Sequence, residues 1–442
     1  MRELLRNQAY RRLFAAQVIA LVGTGLTTVA LGLLAYYLAG PRAGEVLGTA
    51  LAIKMVAYVC VSPLVGAVAD RVPRHALMVG ADAVRLAVVV ALPWVTAVGQ
   101  VYALVVVLQA GSATFTPTFQ AVLPDVVADE DDYTRALSVS QVAVSLENVV
   151  SPLIAAALLL VVDFGMLFLG TAVGFLGSAL LVVGARIPPA QRSARARLAD
   201  RLSAGLRVFV GTPRLRAVLA LNMVVAGAGA ITLVSTVNVV RDLLGATESR
   251  VPLLLAVSGA GTVAAALGAP VLLRRATERP VLMSGATVAA IAVVGAVALS
   301  HGPSWPLAVG VWLLIGLGSG LVMVPVGRIV RSSCAASDRP AVFAAQFSLS
   351  HACWLITYPL TGWAGSLAGL TVAWAVLAGL VLTATVAAAR LWPTGLTEIV
   401  RHRHDDETDR GHLDRAEWDG AAWVHAHRVV IDAQHTRWPQ PV

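Results

Sequence analysis

Lysine is almost missing from this chain: Lys54 is the only one in 442 residues. It lies between Ile53 and Met55 inside an apolar run. A phosphate-binding loop needs a lysine directly after its glycines, so ATP hydrolysis of that kind is excluded. Charge is scarce as well, at 13% of residues against roughly 25% in soluble domains. Cysteine is limited to Cys60, Cys334 and Cys353, an odd number with none in an outer loop, which argues against a disulfide framework. The apolar runs hold no nucleophile–base pair and no metal quartet, so an enzyme is not expected. No cofactor is expected either.

What is abundant is hydrophobicity, with 57% apolar residues and a mean hydropathy of +0.77. That is the composition of a polytopic membrane protein. The chain opens MRELLRNQAYRRLF, a basic amphipathic start, and runs apolar from Phe14 to Leu38. This exceeds the roughly 7–15 residues of a signal-peptide core and is read as a retained first span. The net charge of +8 and a pI near 10.0 would suggest nucleic acid as a partner, but the arginines fall in alternate loops rather than on one patch. The expected partner is the lipid bilayer, with no nucleic acid.

Windows of roughly 20 apolar residues, enough to cross about 30 Å of hydrocarbon, fall near 13–38, 46–69, 76–98, 101–123, 136–161, 164–186, 214–240, 251–273, 281–300, 305–330, 341–366 and 370–391. An all-α membrane protein of about twelve transmembrane helices follows. Arginines 2, 6, 11, 12, 71, 74, 135, 186–216, 274, 275, 279, 331 and 339 collect on one side, leaving Arg42, Arg241 and Arg250 on the other. Both termini are therefore expected in the cytoplasm, in a multi-pass protein of the inner or plasma membrane.

The only long interior loop divides six spans from six. It is arginine-rich, opens with Pro188-Pro189 and reads as a charged linker that can form an amphipathic helix on the inner leaflet. Internal similarity supports a duplication. RHALMVGADA at 74–83 aligns with RPVLMSGATV at 279–288, AYRRLFAAQ at 9–17 with RLRAVLALN at 214–222, and residues 135–152 with 342–359. The expected organisation is a six-helix half at 1–186, a linker at 187–213, a second half at 214–392 and a soluble, histidine-containing tail at 393–442. Two pseudo-symmetric six-span halves around a midplane site are a transporter architecture.

The loop Gly66-Ala67-Val68-Ala69-Asp70-Arg71-Val72-Pro73-Arg74-His75 resembles the G-x-x-x-D-R-x-G-R-R/K loop between the second and third helices of the major facilitator superfamily. Pro73 stands where that family has glycine, and His75 where it usually has a base. Phrases such as KMVAY (54–58), FTPTFQ (115–120) and SHACW (350–354) resemble a bacterial drug/siderophore-exporter-like subgroup that includes nickel-resistance-type permeases. The resemblance spans residues 1–392. It implies export of a small molecule by alternating access, driven by a proton gradient, from a monomer. It also implies that Gly66, Asp70, Arg71 and Arg74 form a conformational gate.

Coupling to protons needs a titratable group that can be buried, and the acids placed within spans are Asp82 and Glu147. Asp82 has Arg85 one turn on, an i,i+3 pair, and reads mainly as a structural ion pair. Glu147 lies mid-span, where an unpartnered charge costs several kcal/mol. Lys54 lies at a similar depth, about 6 Å off by helix rise, and competes with Arg85 as its partner. In the second half His351 is the mid-span titratable group. Gln109, Ser112, Thr116 and Gln120 recur on one face of the fourth helix. With Asn222 and Asn238 they are candidate cavity contacts, interhelical bonding being the competing role.

In the tail, His402-x-His404 and His425-x-His427 have spacings that can ligate nickel, cobalt or zinc. Three functions remain open: proton-coupled efflux of an amphipathic organic compound, efflux of a divalent metal such as nickel or cobalt assisted by the tail, and a membrane sensor or scaffold that does not transport.

Overall fold

In a computed structural model, residues 6–68, 72–127, 136, 139–140, 143, 147, 150–185, 187, 198–334, 339–392, 399–404, 417–418 and 423–428 are described. Asp70 and Arg71 lie outside them, as do the side chains of Gly66, Gln120 and the four tail histidines.

The helices of the first half are α1 (Gln8–Ala39), α2 (Ala43–Val68), α3 (Arg74–Ala91), α4 (Val98–Val126) and α5 (Gly165–Val183). Between α4 and α5, residues 150–158 and Glu147 are helical. After α6 (Leu198–Gly211) the second half comprises α7 (Pro213–Ala230), α8 (Arg250–Arg275), α9 (Glu278–His301), α10 (Trp305–Ser332), α11 (Arg339–Ala368) and α12 (Leu370–Leu391). Starts at 8, 43, 74, 98 and 165 recur at 213, 250, 278, 305 and 370, so the duplication seen in the residues is also one of helix order. Among the described residues nine stretches are long and apolar enough to span a membrane, Gln8–Cys60 counting as one. The outer surface is apolar, with Leu160, Val173, Leu267 and Leu367 more than 70% exposed, as lipid contact requires.

Local sequence explains how the helices end and meet. Asn7 caps α1 by accepting from the Ala9 and Tyr10 amides, while its Nδ2 donates to the Val126 carbonyl at 2.9 Å and ties α1 to the end of α4. Small residues let backbones touch. A Cβ on Gly316 would fall 1.8 Å from the Ser258 carbonyl, and one on Gly318 2.6 Å from the Ala289 amide, so α10 seats directly on α8 and α9.

Tertiary packing adds detail to two elements. The linker helix α6 is not free of the bundle: it buries Val208 and Phe209, and its Gly205 meets the Ala341 carbonyl of α11. The seventh span is not a uniform α-helix either. It passes into π-helix at Ile231–Ser235 and again at Val239–Leu243. Trp312 donates to Thr236 at 2.9 Å and Trp374 to Ser235 at 3.3 Å, holding the end of the first widened stretch from two neighbouring helices.

The halves meet along α2 and α11. A Cβ on Gly48 would lie 2.6 Å from the Tyr358 carbonyl, and one on Gly362 2.3 Å from that of Gly44. Beyond α12 the chain forms a small antiparallel sheet of β1 (Ile399–His404), β2 (Glu417–Trp418) and β3 (Trp423–Arg428), in the order β1-β3-β2.

Candidate functional site

Lys54 projects from α2 into a cavity of the first half. Thr24, Thr27 and Thr28 of α1 and Gln109 and Ser112 of α4 supply its polar wall, and Leu31, Leu51 and Phe175 its apolar one. The threonine hydroxyls each donate one turn back along α1, Thr24 to Ala20, Thr27 to Gly23 and Thr28 to Thr24. Their lone pairs stay available to accept. The wall is mostly apolar, with a few convergent polar groups and one cation.

Glu147 is brought against α1 by a close helix contact. At Gly25 of α1 an added Cβ would lie 2.2 Å from the Ser151 Cβ and 3.4 Å from the Glu147 Cγ, so only a glycine lets the span carrying Glu147 come so near. Lys54 is the charge that acts on Glu147, and it also acts on His351 across the boundary between halves. His351 is held by the Phe347 carbonyl, 2.7 Å from Nδ1, and by ring contacts with Phe347 at 3.9 Å and Tyr58 at 5.7 Å.

Arg85 is committed elsewhere. It binds Asp82 one turn away, and Ser178 of α5 donates to the other Asp82 oxygen at 2.7 Å. The guanidinium is sandwiched between Phe115 at 4.5 Å and Phe175 at 4.4 Å. Gly111 admits the arginine stem, since a Cβ there would lie 2.9 Å from Arg85 Cγ. Asp82 and Arg85 are 0% and 3% exposed, so the pair is enclosed in the bundle.

The remaining sequence candidates separate. Gln109 and Ser112 line the cavity, whereas Thr116 is exposed on the same helix. Asn222 is engaged with Gln346 of α11 in two hydrogen bonds of 3.2 Å. Asn238 donates to the Pro41 carbonyl at 3.0 Å and to Asp242 at 2.8 Å. Arg74 begins α3, next to the loop residues that lie outside the description. Among residues whose side chains are described, no three of His, Cys, Asp or Glu group as metal ligands.

A second cluster was not anticipated from the residues. Where α1 ends and α2 begins, Tyr36 donates to Asp242, and Arg241 sits 5.4 Å over the Tyr36 ring. Ser366 donates to Glu45 at 2.8 Å and Trp363 to Thr49 at 3.0 Å. Every one of these bonds joins one half to the other, and together they close that end of the molecule. The available signal was Glu45 and Asp242 at helix ends, which read as ordinary loop charges. Thr24, Thr27 and Thr28 were also missed, although their i, i+3, i+4 spacing marks one helix face.

The family model of the Major Facilitator Superfamily matches residues 13–276 and 219–432. Macrolide efflux protein A of Streptococcus pyogenes is 26% identical over 181 residues, which is 40% of this chain and 44% of that protein. The match thus spans less than half of the curated relative. Among solved structures, a bacterial homolog of the human lysosomal transporter Spinster in an inward-facing, unoccupied conformation superposes with a TM-score of 0.69 at 13% identity, covering 88% of this chain and 99% of that one. A D-xylose–proton symporter superposes at 0.68 with 13% identity, covering 87% and 98%. At these identities the structures speak to the fold.

Proposed function

Because the chain belongs to the major facilitator superfamily, and so is a multi-pass transporter of the cell membrane rather than an enzyme, we propose that it is a proton-coupled exporter of a small amphipathic organic compound. The observation that carries this reading is the cavity lined by Lys54, three threonines, Gln109 and Ser112, with Glu147 packed against the same helix α1 at Gly25. In a medium without water to screen them, a lysine and a carboxylate stabilise each other only while both are charged. Protonating Glu147 removes that attraction and takes away the carboxylate as an acceptor for a cationic or hydrogen-bond-donating group of the substrate. Substrate and proton then compete for one place, which is what exchange transport requires.

The orientation from the positive-inside pattern puts both termini in the cytoplasm. The end closed by Tyr36 and Asp242 is then extracytoplasmic. The loop with Asp70, Arg71 and Arg74 would close the opposite mouth when the site faces out. The partial match to a macrolide efflux protein supports export of an organic compound over the other readings. The chain acts as a monomer in this scheme.

The test is a tolerance and efflux screen in a host stripped of its own exporters. Wild type should lower accumulation of at least one amphipathic compound, and collapse of the pH gradient should restore it. Glu147→Gln should abolish gradient-driven efflux. If wild type alters the accumulation of no compound, the exporter reading fails.

A further inference from the structure

The register of the tail sheet has a consequence that the spacing of its histidines alone does not fix. β1 pairs antiparallel with β3 so that Val400 is opposite His427, His402 opposite His425, and His404 opposite Trp423. Residues directly opposite share a face, and faces alternate with period two along each strand. Val400, His402, His404, Trp423, His425 and His427 therefore fall on one face. Ile399, Arg401, Arg403, Val424, Ala426 and Arg428 fall on the other. A register shifted by one residue would put the two His-x-His pairs on opposite faces. The register found is of the parity that unites them.

The pairing also fixes their order. His402 and His425 form the central cross-strand pair, His404 is diagonal to His425, and His427 is diagonal to His402. Direct partners have Cβ atoms about 4.5–5.5 Å apart and diagonal ones about 7–8 Å. Imidazole side chains bind a metal at about 2.0–2.1 Å, and three or four of them drawn from two adjacent strands form a ligand set that zinc accepts. No carboxylate occupies this face among the paired positions of β1 and β3, while three arginines share the other. An all-imidazole set disfavours calcium and magnesium, which take oxygen ligands, and suits borderline divalent ions.

We propose that this face of the tail sheet is a binding site for one borderline divalent transition-metal ion (zinc, cobalt or nickel), with His402 and His425 as its core and one of His404 and His427 completing it. Those two lie four residues, about 14 Å, apart along the sheet and cannot share one ion. The site lies after the last membrane helix and is separate from the Lys54 cavity. It stands independently of the exporter reading.

The test uses the purified, full-length protein in detergent, without an affinity tag made of histidines. Cobalt(II) is added while its visible d–d absorption is followed, and zinc is measured by chelator competition. One equivalent should bind, with the intensified cobalt bands of a four-coordinate site. His402→Ala and His425→Ala should each weaken binding by at least tenfold, and the double variant should abolish the one-equivalent site. Arg401→Ala and Arg403→Ala, on the opposite face, and His301→Ala, in a membrane helix, should leave it unchanged. Binding should also fall as pH drops below about 6.5, because only neutral imidazole ligates. Retained one-equivalent binding in the His402/His425 double variant overturns the proposal, as does the absence of any saturable binding in wild type. Transport of organic compounds by the same preparations reports separately on whether the membrane part is intact.

Discussion

Asp82 and Arg85 can be buried together only because each charge is met by something. Removing both from water costs several kcal/mol per ion, and the offset comes from their mutual bond, the Ser178 hydroxyl and two aromatic faces. Taking away one partner leaves the other stranded. Asp82→Asn should therefore destabilise the protein by about 3–5 kcal/mol, read as a large drop in the melting midpoint in detergent. Ser178→Ala should cost about 1 kcal/mol. Transport per folded molecule should change little in either. Glu147 and Lys54 should behave in the opposite way. Glu147→Gln should keep its melting midpoint yet lose gradient-driven efflux by tenfold or more, measured in vesicles with an imposed pH gradient, and Lys54→Gln should weaken substrate binding. Of these residues, the i,i+3 spacing of Asp82 and Arg85 and the matching depths of Lys54 and Glu147 could be read from the chain. Ser178, Phe115 and Phe175 could not, because each comes from a helix whose only relation to Asp82 is three-dimensional.

At the scale of helices, the positions of the spans were legible because hydrocarbon thickness imposes a length that apolar runs must satisfy. Irregularity within a span was not. Nothing in the apolar sequence from Ile231 to Leu243 announces two π-helical stretches, since a widened turn is selected by the tryptophans that bond into it rather than by local propensity. The same limit applied to Asn222 and Asn238, whose polarity inside a span signals a partner without saying whether that partner is a solute or another helix. Glycine contacts give a direct prediction. Gly48→Leu should force α2 and α11 apart at the end closed by Tyr36, because the Tyr358 carbonyl already occupies the place of a side chain. A cysteine introduced near Thr49 should then react faster with a membrane-impermeant thiol reagent. The loop gate gives another. Asp70→Asn should slow turnover with little loss of substrate affinity, and wild-type turnover would remove that residue from the gate.

For the molecule as a whole, alternating access means that the bonds joining the halves at one end must break as those at the other form. Tyr36–Asp242, Asn238–Pro41, Glu45–Ser366 and Thr49–Trp363 are the set that must part. A reversible cross-link between cysteines replacing Tyr36 and Asp242, in a background lacking the native cysteines, should arrest transport, and reduction should restore it. Asp242→Ala should instead favour the state open at that end, seen as raised labelling of outer-mouth cysteines. The π-helical stretches of the seventh span bear on this exchange. Each holds one residue more per turn than an α-helix, so loss of one such turn slides everything beyond it by a residue, rotating it about 100° around the helix axis. Asn238 lies beyond the first stretch, and Asp242 within the second. Exchange of one π turn for an α turn during transport would therefore act as a ratchet with a one-residue tooth. Deleting Val234 should leave a continuous helix that inserts normally, while turning Asn238 and Asp242 away from Pro41 and Tyr36 and leaving the outer end unlatched.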